Sequence, residues 1–156
     1  MALCVKKTAG IKIMNWADGT VVRSFGNTLS EPTDIVVLRD DISSEFNRFV
    51  VADFSQKTIY TFSLQGVCLR KLENAGSVAG LAVLSRDVIA VSDVANRVMF
   101  VTSECTETEV NDLSTVLLRE VAFTNSCVQL CLVGDLLAVS IPGNSEIIFM
   151  GSGPCP

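Results

Sequence analysis

A strand–turn–strand segment that recurs every forty residues or so constrains this chain more than any other feature of its sequence. Residues 49–62, FVVADFSQKTIYTF, have a counterpart in 89–101, IAVSDVANRVMFV, and another in 137–150, LAVSIPGNSEIIFM; a fainter copy, 3–14, LCVKKTAGIKIM, comes before them. In each, a run of β-branched and apolar residues leads through three to five turn residues into a second such run. No convincing 3.6-residue periodicity accompanies them, and the runs between copies supply two further strands per unit, so the chain is expected to be all-β. Four strands in about forty residues, labelled a to d from the first, is the period of a β-propeller blade. In the clearest unit, strand a is expected near 34–38, b near 49–52, c near 59–62 and d near 67–72. The Gln65-Gly66 turn between c and d matches Asp18-Gly19 in the first copy, where Gly supplies the positive φ of a tight hairpin.

These units resemble NHL repeats. The resemblance is carried by the V-A-D or V-S-D end of strand b (Asp53, Asp93), by a turn holding Gln or Asn (Gln56, Asn96, Asn144), and by an apolar-x-x-aromatic strand c (Ile59 to Phe62, with Ile147 to Met150 its counterpart). It covers nearly the whole chain, although Lys6 and Ile141 stand where Asp is expected in the first and last copies. Counted by strands, about fourteen in all, the chain makes one partial propeller of about three and a half blades. The units are 1–26 (lacking a), 33–73, 78–122 and 126–156 (lacking d). A closed ring has four to eight blades, so the chain is expected to be a fragment of a longer propeller or one partner of a self-complementing dimer. The resemblance further implies the C-terminal propeller of tripartite-motif ubiquitin ligases, which selects protein targets, although no RING cysteine pattern, B-box or coiled-coil heptad is present here.

Composition narrows the chemistry. There is no histidine among the 156 residues, which removes histidine bases, Ser-His and Cys-His pairs and His-ligated zinc. Twelve Lys and Arg against 17 Asp and Glu give net −5, which disfavours indiscriminate polyanion binding. No apolar run approaches a membrane span, and the first residues lack the basic-then-apolar order of a secretory signal, so no membrane partner and a cytoplasmic location are expected. Cys4, Cys68, Cys105, Cys127, Cys131 and Cys155 are irregularly spaced inside apolar runs and read as small buried hydrophobes in a reducing compartment; Cys127 and Cys131 on one strand would be too far apart to share an ion. No P-loop, G-x-G-x-x-G or G-x-S-x-G motif occurs. The chain is expected to be non-catalytic, with no cofactor or metal.

Charge is expected to divide between the two rims of the arc. On the rim of the a–b and c–d turns fall Asp18, Asp40, Asp41, Glu45, Asp87, Glu104, Glu107, Glu109, Asp112 and Asp135 against only Arg39, Arg48 and Arg86. On the rim of the b–c turns and inter-blade links fall Lys6, Lys7, Lys57 and Arg97, with Arg23, Arg70, Lys71 and Arg119 towards the same end on strands d. Asp53 and Asp93 are read as structural, accepting turn N–H groups. Lys6, Lys7, Phe54, Lys57, Arg97, Pro142 and Asn144 are the candidate binding residues, with Phe123 a further apolar contact. A protein target is the first expectation for this rim; single-stranded RNA, through cations interleaved with aromatics, is the second. A third reading, a Ca²⁺-dependent lactonase or esterase, would need Asp53, Asp93 and Asn144 to converge with further oxygen ligands.

Overall fold

The structure is a computed structural model that describes residues 2–5, 10–40, 43–44, 47–102, 111–112 and 116–151, with backbone placement alone for 2–5 and 111–112. Strands β1 (Ala2–Val5), β2 (Gly10–Met14) and β3 (Val21–Phe25) form a first antiparallel sheet. A second contains β4 (Pro32–Leu38), β5 (Arg48–Asp53), β6 (Thr58–Ser63) and β7 (Cys68–Glu73). A third contains β8 (Val78–Val83), β9 (Val88–Asp93), β10 (Arg97–Thr102) and β12 (Leu117–Ala122). The fourth is β13 (Leu130–Val133), β14 (Leu136–Ile141) and β15 (Glu146–Gly151). Each is a meander whose order in space is its order in sequence. The sheets hold three, four, four and three of these strands, the arrangement that the repeat implies.

One strand was not foreseen. In the segment between β10 and β12, β11 (Asn111–Asp112) leaves the third sheet and pairs parallel with the outer strand of the second, Asn111 opposite Leu72 and Asp112 opposite Glu73. Asp112, expected on the acidic rim, therefore lies beside the link end of β7. The backbone hydrogen bonds that an outer strand leaves unpaired attract such an addition.

The sheets stack face to face because their central strands are apolar on both sides. In β5, Phe49 and Val51 pack with Ile11, Leu29, Tyr60 and Phe62 towards the first sheet, while Val50 and Ala52 pack with Leu81, Ile89, Val91 and Met99 of the third. A strand covered on both faces reads as a continuous apolar run rather than an alternating one, which is what FVVA and IAV are. Between the third and fourth sheets, Ala82, Ala90 and Val98 meet Leu130, Leu137, Val139 and Ile141. Phe25 joins the first interface with ring centroids 5.6 Å from Phe49 and 5.3 Å from Phe62. Each Val, Leu, Ile, Met or Phe side chain buried this way contributes about 1.5–3 kcal/mol.

Polar bonds near the inner strands fix how one sheet sits on the next. The register slips at the same place in β4 (between Pro32 and Asp34) and β8 (between Val78 and Gly80). The slip frees Thr33 to donate its hydroxyl to the Val78 carbonyl at 2.9 Å, and Asp34 accepts the Leu81 N–H at 2.8 Å. Ser92 donates to the Val128 carbonyl at 3.1 Å, ahead of the fourth sheet. Gly80 is needed there, since a Cβ would lie 2.7 Å from that carbonyl oxygen.

Asp53 is the polar group most deeply committed to the fold. It is fully buried and accepts the N–H groups of Ser30 (2.6 Å), Glu31 (3.2 Å) and Gln56 (3.0 Å). Asp53→Ala would leave three donors unpaired, and the expected loss of stability in urea denaturation is about 3 kcal/mol or more; Ser55→Ala on the same turn should cost under about 1 kcal/mol.

Candidate functional site

The b–c turns of the second, third and fourth sheets form one continuous rim with the links between sheets. The turns of the second and third sheets are gripped on both sides. The residue after strand b donates its N–H to the incoming link, Phe54 to Glu31 at 3.0 Å and Val94 to Ser77 at 3.2 Å. The last turn residue, Lys57 or Asn96, offers its carbonyl to the outgoing link, to Ala75 N–H at 2.9 Å and Phe123 N–H at 2.7 Å. Lys57, Asn96 and Ser145 all hold positive φ (52°, 69° and 56°), which closes the turn and returns the chain into strand c. The four-residue turns of the second and fourth sheets also close on themselves, Lys57 N–H to Phe54 and Ser145 N–H to Pro142.

Side chains complete the grip differently in each sheet. Gln56 donates to the Thr28 carbonyl (2.8 Å) and the Ser30 hydroxyl (2.9 Å), and accepts the Tyr60 hydroxyl. Ser55 donates to Glu31 at 2.6 Å. Asp93 accepts the Ala95 N–H and an ion pair from Arg97 at 2.6 Å, close against Gly76, where a Cβ would collide with its carboxylate. Asn144 accepts from Asn125 and donates to Glu146 at 3.1 Å.

The candidate residues fare unequally in this frame. Lys57 is exposed, and its ammonium makes no ion pair with a described residue. Arg97 does not lie in a turn. The turn of the third sheet is one residue shorter than that of the second, so Arg97 is the first residue of β10, opposite Asp93. Its guanidinium lies between Asp93 and Glu120 (3.4 Å), and the bond to Asp93 raises its pKa further above its usual value. Asn144 is exposed but its amide is engaged at both ends, and Pro142 is exposed at the start of a short 3-10 turn. Lys6 and Lys7 lie outside the described residues.

Three further expectations change. Arg23 donates to the Leu64 carbonyl at 2.6 Å, in the c–d turn of the opposite rim. Lys71 and Arg119 lie on the outer strands, as expected, but with their cationic heads over the rings of Tyr60 and Phe100. Phe123 packs against the core between the third and fourth sheets, because its N–H to Asn96 draws it inward. Among the cysteines described, Cys127 is buried as expected, whereas Cys68 and Cys131 are exposed. Cys68 faces out on an outer strand, and Cys131 lies on the open face of the last sheet.

What the sequence reading missed is Val94. It occupies the first turn position, as Phe54 and Pro142 do, so three successive sheets present an apolar residue at the same point of the rim. Phe54 is half-buried, Val94 and Pro142 exposed. The signal was available as the residue following V-A-D, V-S-D and V-S-I. Around this row the described turn and link residues are mostly uncharged hydrogen-bonding groups: Asn27, Thr28, Ser30, Ser55, Gln56, Asn74, Ser77, Asn96. The rim is amide-rich and nearly neutral rather than basic.

The oxygen ligands that a Ca²⁺ reading requires do not converge. Asp53, Asp93 and Asn144 sit one to a sheet, each bonded to its own turn, and among the described residues no three acids or cysteines cluster as metal ligands. A cavity of about 420 Å³ lies instead on the inner side of the arc, between Thr33, Asp34, Ala79, Gln129 and the outward face of the fourth sheet. Burial there pushes the Asp34 carboxyl above its usual value, against the lowering effect of the Leu81 and Ile35 N–H bonds. Asp18, on the opposite rim, is lowered by its bonds from the Thr20 N–H and hydroxyl.

No family model matches the chain, and no curated protein matches it. Solved structures do. It superposes on the computationally designed Ika4 protein with a TM-score of 0.67 at 14% identity, over 97% of this chain and 84% of that one. On BBS1N, crystallised in complex with ARL6DN, the TM-score is 0.68 at 16% identity, over 97% and 46% of the two chains. On the computationally designed Ika8 protein it is 0.61 at 15% identity, over 94% and 41%. The fold is an incomplete β-propeller. The chain spans less than half the length of BBS1N and Ika8, and at these identities the likeness concerns the fold alone.

The two carboxylates give opposite pH signatures. Carboxyl ¹³C titration should show Asp34 protonating above 3.8 and Asp18 below it. Asp18 then adds stability that is present above its unfolded value and lost as pH falls through its lowered one. Asp34 works in reverse, its contribution being lost as pH rises through its raised value.

Proposed function

We propose that this propeller arc is a non-catalytic protein-recognition module whose b–c rim receives an extended segment of a partner protein. The observation that carries the reading is the row Phe54, Val94 and Pro142, held at equivalent turn positions by a hydrogen-bonded frame. Apolar side chains fixed in advance give up little entropy on binding, and the amides and hydroxyls around them suit backbone recognition. Lys57 adds one exposed cation, which favours a segment with an acidic residue near its anchor. BBS1N, of the same fold, was crystallised with the protein ARL6DN, which is consistent with a propeller used for protein contact.

In finer terms, the V-A-D and V-S-D strand ends make the arc NHL-like, and an NHL propeller in a tripartite-motif ligase would choose the ligase's target. That role belongs to a longer protein. RNA is the weaker reading on this rim. Phosphate contacts need several free cations, and of those foreseen Arg97 is paired, Arg23 points to the other rim and Lys57 stands exposed.

The test is selection of peptides from a displayed library of disordered protein segments on the immobilised chain, beside a pool of random single-stranded RNA. Enriched peptides should bind the wild type, lose affinity about tenfold or more with Phe54→Ser and Val94→Ser together, and change less than about twofold with Asp87→Asn on the opposite rim. No enrichment, or peptides indifferent to the rim pair, would overturn the proposal. Enriched RNA whose binding falls with Lys57→Glu and loses salt dependence would put the RNA reading in its place.

A further inference from the structure

The outward face of the fourth sheet repeats, row for row, the face that the third sheet presents to its successor. In the third sheet the cross-strand rows on that face are Ser92 with Val98, and Ala82 with Ala90 and Phe100. In the fourth they are Ser140 with Ile147, and Cys131 with Ala138 and Phe149. The match is one of chemistry: a hydroxyl beside a branched aliphatic, then small residues beside a phenylalanine. Covered by the fourth sheet, Ser92, Ala90 and Val98 have no exposure. On the fourth sheet itself Ile147 is 65% exposed and Phe149 56%, with Val133 and Leu136 exposed beside them. An apolar sheet face of this kind marks an interface.

We infer that this face receives a second copy of the chain, whose first sheet seats on it, so that two copies close one ring of eight sheets about a two-fold axis. The occupant is argued from three observations. The arc covers 46% of BBS1N and 41% of Ika8, so two arcs fit within one such ring without overlap. It also covers 84% of Ika4, so a chain only slightly longer than this one takes up a similar arc of sheets. Finally, the chain bears both halves of a joint, since the first sheet has its own outward face, where Lys12 pairs with Ser24 beside Val22, which is 68% exposed. A head-to-tail contact either closes or propagates, and two copies of a half ring close. The joint uses neither Phe54, Val94 nor Pro142, so it stands or falls apart from the rim.

The experiment is light scattering on the purified chain across a dilution series. A discrete species of twice the 16.7 kDa chain mass is expected. Ile147→Asp with Phe149→Asp should weaken dimerisation about tenfold or more while the β circular dichroism is kept, since both side chains face outward. Val22→Asp, on the other open face, should do the same and serves if the first pair does not fold. Phe54→Ser should leave the mass unchanged, which separates this result from the rim's. A monomer, a polydisperse series, or a dimer indifferent to both sets of substitutions would overturn the inference.

Discussion

The buried carboxylate of Asp53 is the point on which the rim of this molecule depends. It ends the central strand of the second sheet, takes two N–H groups from the link that brings the chain in from the first sheet, and takes a third from the turn that leaves it. A link, a strand and a turn are thus tied at one fully buried group. Such a charge is tolerated only when hydrogen bonds replace its water, and here three backbone donors do so. In the third sheet Asp93 reaches the same end by another route, with Arg97 in place of the link N–H groups. In the fourth, Ile141 is apolar and buried, and the Asn125–Asn144 pair connects link and turn instead.

These ties would have nothing to orient without the stacking beneath them. A sheet whose central strand is apolar on both faces can be buried only between two others, and that requirement propagates along the chain until a sheet has a neighbour on one side alone. The second and third sheets are satisfied. The fourth is not, and its Ile147 and Phe149 are the residues left over. The rim and the open face are therefore consequences of the same repeat: one is what the repeat organises, the other is where the described repeat stops.

Most of the architecture was legible because a blade repeats three signals together, an apolar central strand, a polar turn and a glycine hairpin. The pairing of Phe49–Ala52 with Ile59–Phe62 followed from those signals alone. The site was less legible, and the reasons are specific. A one-residue difference in turn length moved Arg97 from the turn into β10, which no repeat alignment that matched it to Lys57 could show. Side-chain reach decided the roles of Arg23, Lys71 and Arg119, whose positions in sequence suggested a basic rim but whose guanidinium and ammonium groups turn to a carbonyl or an aromatic ring. Val94 escaped because a lone valine in a turn carries no signal until its equivalence to Phe54 and Pro142 is seen. The strand β11 rests on pairing between neighbouring sheets, and two residues leave no periodicity to read.

The b–c turns of the second and third sheets are tied to the links on either side, so that the apolar row is in place before any partner arrives. Hydrogen exchange of single amides tests it most directly. Phe54, Ala75, Val94 and Phe123 each donate across a link–turn junction, Gln56 donates to Asp53 within its own turn, and the exchange of all five should be slowed to within about tenfold of the amides of β5. Exchange of these five at the rate of an unstructured peptide, with β5 still protected, would mean that the rim is not preformed and would contradict the account.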